Sequence, residues 1–305
     1  MSYDTDLLNI QYRYLIASED IQAGEVIFEE YPVSRGPIYS TRPVCLGCYQ
    51  VLSSKSSERH ICHKCGWPLC SQICEKSPEH IPECQMFSNQ GVRVQSEQFC
   101  YDDIEPMYDI VSPVRVLWQR QYEPEKWIIF WKLMSHIDNW IKSKEWIESH
   151  FMIIDYILNT LKLGISYLNA YIIHVSLPNH FLILIPTMGL KMLLYVSFSD
   201  NVDDRLILTI YGIFYTNDFS TRVVNTDGDR NFSKVRLCYP LAAMCSHSCI
   251  ANTSRHILGL NENFQVVVRA TQTIKKGDKI LFNYLDIMLP TIIRQKHLRE
   301  VGILI

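Results

Sequence analysis

The sequence lacks the features that mark several large classes of protein. Residues 1–20 show no basic stretch followed by an apolar one, so we expect no cleaved secretion signal and no oxidising compartment. Positive charge is not in excess: 29 lysines and arginines face 32 acidic residues, and the net charge is −3. A disulfide-stapled secreted protein is therefore disfavoured, and so is a protein that binds nucleic acid through a broad basic surface.

Cysteine, by contrast, is abundant and concentrated in one stretch. Seven of the eleven cysteines and one histidine lie between residues 45 and 84, in pairs separated by two or three residues. Such spacings let two side chains reach one zinc ion from a single turn, and eight ligands complete two tetrahedral sites with no open position. The predicted ligands of two structural zinc ions are Cys45, Cys48, Cys62, Cys65, Cys70, Cys74, His80 and Cys84.

The spacing leaves two ways to group these ligands. In the interleaved grouping the first and third pairs share one ion, and the second and fourth pairs share the other. In the sequential grouping each ion takes two neighbouring pairs. We favour the interleaved grouping because it ties the whole segment together, and the polar residues 53–58 are typical of a small module folded by its metals.

The order Cys-x2-Cys, Cys-x2-Cys, Cys-x3-Cys, His-x3-Cys resembles the MYND zinc finger, and every ligand position is filled. In that family the grouping is interleaved. The resemblance implies a protein-interaction surface that binds short proline-rich segments, whereas direct nucleic-acid binding ranks second.

Both ends of the chain are predicted to contribute β-structure to one domain. The stretches 21–28 and 274–282 share a pattern in which Gly24 and Gly277 mark turns, and each stretch predicts a hairpin. A chain of 305 residues, 48% of them hydrophobic, can bury one sizeable core. We therefore expect one large domain with the zinc module inserted into it.

Between these ends, tryptophan and isoleucine recur at helical spacing through 85–163, which predicts a helical insertion. Residues 164–204 form an atypical apolar insertion. A membrane span over 165–198 is the minority alternative, because Pro178 and Pro186 leave no clean run of about 20 residues. Translated non-coding sequence is a third possibility, and poor integration with the core is expected.

From Arg205 onward, alternating apolar residues such as Leu206 and Leu208 predict strands again. Residues 246–252 read Ser-His-Ser-Cys-Ile-Ala-Asn. Taken alone this is a polar loop, or a Cys/His pair of nucleophile and base. With the finger, the two glycine turns and Tyr284, it resembles the SET-domain motif Asn-His-Ser-Cys-x-x-Asn. The chain as a whole resembles the SET and MYND domain proteins of the insect type.

The resemblance implies an α+β fold: a split SET-domain β-core (pseudo-knot) with an inserted MYND zinc finger and a helical insertion. The implied domains are 1–44 (first part of the SET domain), 45–84 (finger), 85–163 (helical insertion), 164–204 (apolar insertion), 205–290 (second part of the SET domain) and 291–305 (terminal helix).

The implied activity is methyl transfer from S-adenosylmethionine to a lysine of a histone or other protein. That reaction needs an in-line approach, an apolar channel that keeps the lysine amine neutral, and oriented oxygen dipoles. By resemblance Tyr284 orients the amine, and Asn217, Ser246 and His247 bind the cofactor.

The chain departs from the family pattern at three places. Tyr12-Arg13-Tyr14 stands where the family has a Gly-x-Gly that approaches the cofactor, and Ser246 replaces the asparagine of the motif. The sequence also stops at Ile305, before the cysteine-rich post-SET segment that completes a third zinc site with Cys249. We expect a weakly active methyltransferase. The alternative is an inactive adaptor or transcriptional co-regulator that acts through the finger, and either would work in the nucleus or cytoplasm.

Overall fold

The computed structural model describes residues 14–39, 41–165, 202–224 and 232–300. The predictions for Tyr12, Arg13, most of the apolar insertion and residues 301–305 lie outside the described residues. The membrane alternative at 165–198 lies outside them too, apart from Ile165. Within the described ranges, the helices are all too short or too polar to cross a membrane.

Most helices lie in the middle of the chain, and most of the longer strands lie toward its two ends. The helices are α1 (Gln72–Glu75), α2 (Ile81–Asn89), α3 (Val111–Tyr122), α4 (Pro124–Trp131), α5 (Ile137–Trp140), α6 (Lys144–Asp155), α7 (Asp204–Asn217) and α8 (Thr291–Glu300). The strands are β1 (Val26–Glu30), β2 (Ser34–Pro37), β3 (His60–Ile61), β4 (Pro68–Leu69), β5 (Gly164–Ile165), β6 (Val202–Asp203), β7 (Asp218–Val224), β8 (Phe232–Cys238), β9 (Ser246–His247), β10 (Thr253–Ile257), β11 (Val266–Ala270) and β12 (Leu281–Phe282).

The two ends of the chain pair with each other. One antiparallel sheet has the order β1-β11-β10 and a second has the order β2-β8-β7, so each joins an early strand to late ones. β5 and β6, which flank the apolar insertion, also lie side by side. Both ends therefore build the same β-structure, as the sequence predicts.

The two glycine turns are present, but the predicted hairpins are wrong. Gly24 and Gly277 both have a φ of 89°, a conformation that glycine adopts without steric cost. A hydrogen bond closes each turn, from Glu25 N to Gln22 O at 3.1 Å and from Asp278 N to Lys275 O at 3.0 Å, but the segments on either side of the turn do not pair with each other as strands. Instead Ile21 and Ile274 exchange backbone hydrogen bonds of 2.8 and 2.9 Å, and the Ala17 amide donates to Asp278 at 2.9 Å. The similar turns thus bond to one another across the domain.

The predicted strand after Arg205 is wrong, because this stretch is helix α7. Asp203 caps it: its side chain accepts from the Leu206 amide at 2.8 Å, which satisfies one of the free donors of the first turn. The fully buried positions Ile207, Ile210 and Phe214 follow helical spacing. Helix α7 is apolar on more than one face. Leucines two positions apart therefore occur in it without indicating a strand.

The core falls into two clusters of buried side chains. The larger one joins the finger to the helices around Trp67, which makes edge contacts with Phe87 and Tyr108. The smaller one lies between the sheets and includes Phe28, Val266 and Phe282. The finger therefore shares its apolar side chains with the helical region and is held by more than its metal ligands.

Candidate functional site

The eight predicted zinc ligands form two clusters, within each of which the ligand atoms lie within 4.8 Å of one another. One contains Cys45, Cys48, Cys70 and Cys74, and the other contains Cys62, Cys65, His80 and Cys84. This grouping is the interleaved one.

The distances within the clusters fit a tetrahedral zinc ion. Cys48 Sγ lies 3.6 Å from Cys70 Sγ, and Cys62 Sγ lies 3.7 Å from Cys84 Sγ. His80 Nε2 lies 3.5 Å from Cys65 Sγ. Thiolates bound at about 2.3 Å to one tetrahedral ion would be about 3.8 Å apart. The described residues are therefore compatible with two structural zinc sites.

Two tight turns and one close glycine contact hold these candidate ligands in position. Tight turns follow Cys45 and Cys62, whose carbonyls accept from Cys48 N at 3.3 Å and Gly66 N at 3.0 Å. Gly47 packs against Cys74, and a Cβ on Gly47 would lie 2.7 Å from Cys74 Cβ. The chain can therefore approach Cys74 this closely only with glycine at position 47.

A buried polar network ties the second cluster to helix α3. His80 Nδ1 lies 2.9 Å from Glu83 Oε1, which leaves Nε2 facing the Cys65 sulfur of the cluster. Both Glu83 oxygens accept from Arg115, at 2.6 Å from Nε and 3.1 Å from Nη2. Arg115 is only 4% exposed, and it also donates to the Tyr49 hydroxyl at 2.5 Å. The network orients a zinc ligand and fixes the finger on the helical region.

The electrostatics of this network favour an ionised Glu83. Burial alone would raise the pKa of Glu83, but the Arg115 charge and the hydrogen bond from His80 outweigh it and lower the pKa. The carboxylate is therefore charged at neutral pH and pairs with the guanidinium.

A second region gathers the remaining predicted site residues. β9 and β12 pair in parallel, with Ser246 opposite Leu281 and His247 opposite Phe282. The Asn252 side chain fastens this pair: it accepts from Leu281 N and donates to Lys279 O, both at 2.8 Å. The motif around residue 246 is thus locked to the strand that leads to Tyr284.

His247 and Tyr284 are in contact. The Tyr284 amide donates to His247 Nδ1 at 3.1 Å, and the two ring centroids are 5.3 Å apart. Burial lowers the pKa of His247, and nearby Arg294 lowers it further, so the ring is neutral with its proton on Nε2. That nitrogen lies 3.5 Å from Cys249 Sγ.

The Tyr284 phenol is held in place. Its hydroxyl donates to the Cys245 carbonyl. Burial raises the pKa of Tyr284 to about 12, so the phenol is neutral near pH 7. Since the single proton is engaged by Cys245, the oxygen lone pairs remain free to accept a hydrogen bond.

Residues 14 and 15, where the described part of the chain begins, reach the same region. Leu15 N donates to Met244 O at 3.2 Å, and Leu15 O accepts from Ile280 N at 2.9 Å. Tyr14 beside it is 49% exposed, and the Lys279 ammonium lies 4.5 Å from its ring centroid. Tyr14, the described residue of the segment predicted to replace the Gly-x-Gly of the family, therefore precedes a residue that bonds to both Met244 and Ile280.

Asn217 has a different environment. It is the last residue of α7, and its side-chain nitrogen donates to Ile213 O at 2.7 Å and to Met134 O at 2.6 Å. Both amide hydrogens are used in these bonds, so only the side-chain oxygen could serve a ligand.

Sequence reasoning missed the supporting residues of both regions, namely Glu83, Arg115 and Asn252. The His80-to-Glu83 spacing on one helix was a usable signal, since residues three apart share a face. Arg115 lies 32 positions from Glu83 and carried no such signal.

Comparison with known proteins identifies the class. The family model for the SET domain matches residues 12–285, and the chain belongs to this family. Two isoforms, B and A, of the Drosophila melanogaster SET domain-containing protein SmydA-8 are 24% and 26% identical to it over 94% of the chain. The N-lysine methyltransferase SMYD2-B of Danio rerio is 29% identical over 35% of the chain and 23% of its own length. The chain spans about half the length of the Drosophila relatives, 52% and 51%.

Proposed function

We propose that this chain is an S-adenosylmethionine-dependent protein-lysine methyltransferase of the SET/MYND type, weakly active, with two structural zinc ions. The proposal rests on the hydrogen bonds that join segments 14–15, 244–247 and 280–284. The zebrafish relative is an N-lysine methyltransferase, which supports the same reaction.

The cofactor would supply a methyl group already activated on a sulfonium. Ser246 and His247, on the strand fastened by Asn252, would hold its adenosine end, and Asn217 would offer its side-chain oxygen. Tyr284 would accept a hydrogen bond from the lysine amine, because its own proton is given to Cys245. The residues thus orient the amine and leave the chemistry to the cofactor.

The proposed boundaries follow the predictions: a SET core from 1–44 and 205–290, interrupted by the finger at 45–84, the helical insertion at 85–163 and the apolar insertion at 164–204. A terminal helix at 291–305 completes this division, and the parallel pairing of β9 with β12 supports the knot-like path of the core. The proposed compartments are the nucleus and the cytoplasm, and no direct contact with nucleic acid is proposed.

Replacing Tyr284 by phenylalanine should lower kcat on the order of 10²-fold, the usual cost of removing one oriented polar group from such a site. Methyl transfer to a lysine substrate, histone or otherwise, measures this. Tyr31→Phe is the matched control because Tyr31 is 59% exposed and lies elsewhere. Turnover that survives Tyr284→Phe unchanged would place the site elsewhere.

The second candidate function is an adaptor or co-regulator that binds proline-rich segments through the finger. A groove of about 490 Å³ between the finger and α3 favours it, lined by Tyr31, Pro78, Ile81 and Trp118 among others.

A further inference from the structure

Outside the two zinc clusters, the finger contains a third group of metal-binding side chains. His60 lies on β3, His63 in the turn after Cys62, and Glu75 at the end of α1. The three ligand atoms lie within 4.8 Å of one another. None of these residues belongs to the two clusters already described.

The two imidazoles converge on one carboxylate oxygen. His60 Nε2 lies 2.5 Å and His63 Nδ1 lies 3.2 Å from Glu75 Oε2. Ligands held at about 2.0 to 2.1 Å by a tetrahedral zinc ion would be about 3.3 Å apart. The His63 pair has that spacing, and the His60 pair is shorter than it would be with an ion between the two atoms.

The surrounding chain holds this arrangement. Glu75 Oε1 accepts from the His63 amide at 3.0 Å, and Arg93 donates to the His63 carbonyl and, at 3.3 Å, to the Cys62 carbonyl. Hydrogen bonds that involve backbone groups thus hold two of the three candidate ligands, Glu75 and His63. The His63 side chain is 76% exposed, so a further coordination position faces solvent.

The charge of the neighbourhood also favours a cation. Glu75 Oε1 lies 3.4 Å from Cys62 Sγ, a predicted zinc ligand. A zinc ion bound by three thiolates and one imidazole keeps a net negative charge, and a second anion 3.4 Å away is repelled by it. A divalent cation held by Glu75 would offset this repulsion.

We propose that His60, His63 and Glu75 form a third metal site in the finger, open to solvent, that binds a borderline divalent cation such as Zn²⁺ reversibly. Two imidazoles and one carboxylate with an open position are a ligand set suited to such ions. The structural sites bind through three or four thiolates with no open position, so the third ion should exchange far more readily.

The test uses the zinc-loaded chain after brief treatment with a chelating resin. Metal analysis should then give two ions per chain, and calorimetric titration with ZnCl₂ should give one further ion. His63→Gln should weaken the added site on the order of 100-fold or more, because losing even an outer-shell partner costs about 10- to 100-fold. Because the His63 side chain is exposed, this variant should keep the two retained ions. His256→Gln, at an exposed histidine on β10, should change nothing.

Three results would overturn the proposal. The first is that the wild-type chain takes up no ion beyond the two that it retains. The second is that His63→Gln binds the added zinc as the wild type does. The third comes from titrating the same chain with Co²⁺: an intense thiolate-to-cobalt band would show that the added ion enters a cysteine site. Weak visible bands without that charge-transfer band are expected, together with their loss in Glu75→Gln.

Discussion

Replacing Cys65 by serine should remove one of two tightly held zinc ions and unfold the part of the finger around that site. The unfolded finger has no preformed site, so the binding free energy of a structural zinc ion, about 10 to 16 kcal/mol in finger peptides, is folding free energy. Metal analysis after mild chelation, with circular dichroism of the same samples, measures both effects. Cys100→Ser is the control, because Cys100 is exposed and lies outside the clusters.

The grouping of the ligands can be tested with a double variant. Cys48 and Cys74 belong to the same cluster in the structure. The variant Cys48→Ser/Cys74→Ser should therefore keep one zinc ion, bound by Cys62, Cys65, His80 and Cys84. Sequential grouping would place Cys48 and Cys74 on different ions, and the double variant would then lose both.

Replacing Arg115 by methionine should lower the free energy of unfolding by about 3–5 kcal/mol, because it leaves the buried Glu83 carboxylate without its cation. Glu83 is 0% exposed and is bonded by Arg115 at two points. Urea unfolding of the zinc-loaded chain measures the loss. Lys126→Met is the matched control, because it also removes a cation from an ion pair, here with Glu123. The Lys126 side chain is 50% exposed, and exposed ion pairs contribute little to the free energy of unfolding.

A double variant separates the charge effect from lost packing. Adding Glu83→Gln to Arg115→Met removes the uncompensated charge but keeps an oxygen that can accept from His80 Nδ1. The double variant should recover part of the free energy of unfolding that Arg115→Met loses. If Arg115→Met costs no more than Lys126→Met, the network does not fix the finger to helix α3.

The clustering of the eight candidate zinc ligands could be predicted from the sequence because their spacing is a local property. Each pair sits in one turn, and the chemistry of cysteine and histidine then limits the metal. The grouping needed the structure, since interleaved and sequential sites use the same local turns. The contact between Glu83 and Arg115 joins distant positions, and no local pattern encodes it.

The β-structure was predictable in content but not in pairing. Gly24 and Gly277 mark real turns, yet Ile21 bonds to Ile274 across the domain, and a local reading can propose only the nearest partner. The error at α7 has another cause. Alternating leucines fit a strand and a helix equally well over five residues, and the cap at Asp203 was the signal that distinguished them.

Among the candidate site residues, too, a local motif selects some, and contacts between distant positions decide the surroundings of others. His247 and Tyr284, which were selected by resemblance to a motif, lie in contact, and their roles stay predictions. The two bonds made by the Asn217 amide nitrogen could not be read from the sequence, because Met134 lies in a different part of the chain.

The central claim, that this SET domain binds S-adenosylmethionine beside Ser246 and His247, is tested most directly by calorimetric titration of the zinc-loaded chain with that cofactor. We expect weak saturable binding of the cofactor, which His247→Ala should abolish. Glycine at both positions 12 and 14 should strengthen the binding, because backbone without side chains can approach a ligand more closely. No heat of binding with either the natural chain or the glycine variant, while both retain their two zinc ions, would contradict the claim and leave the adaptor function.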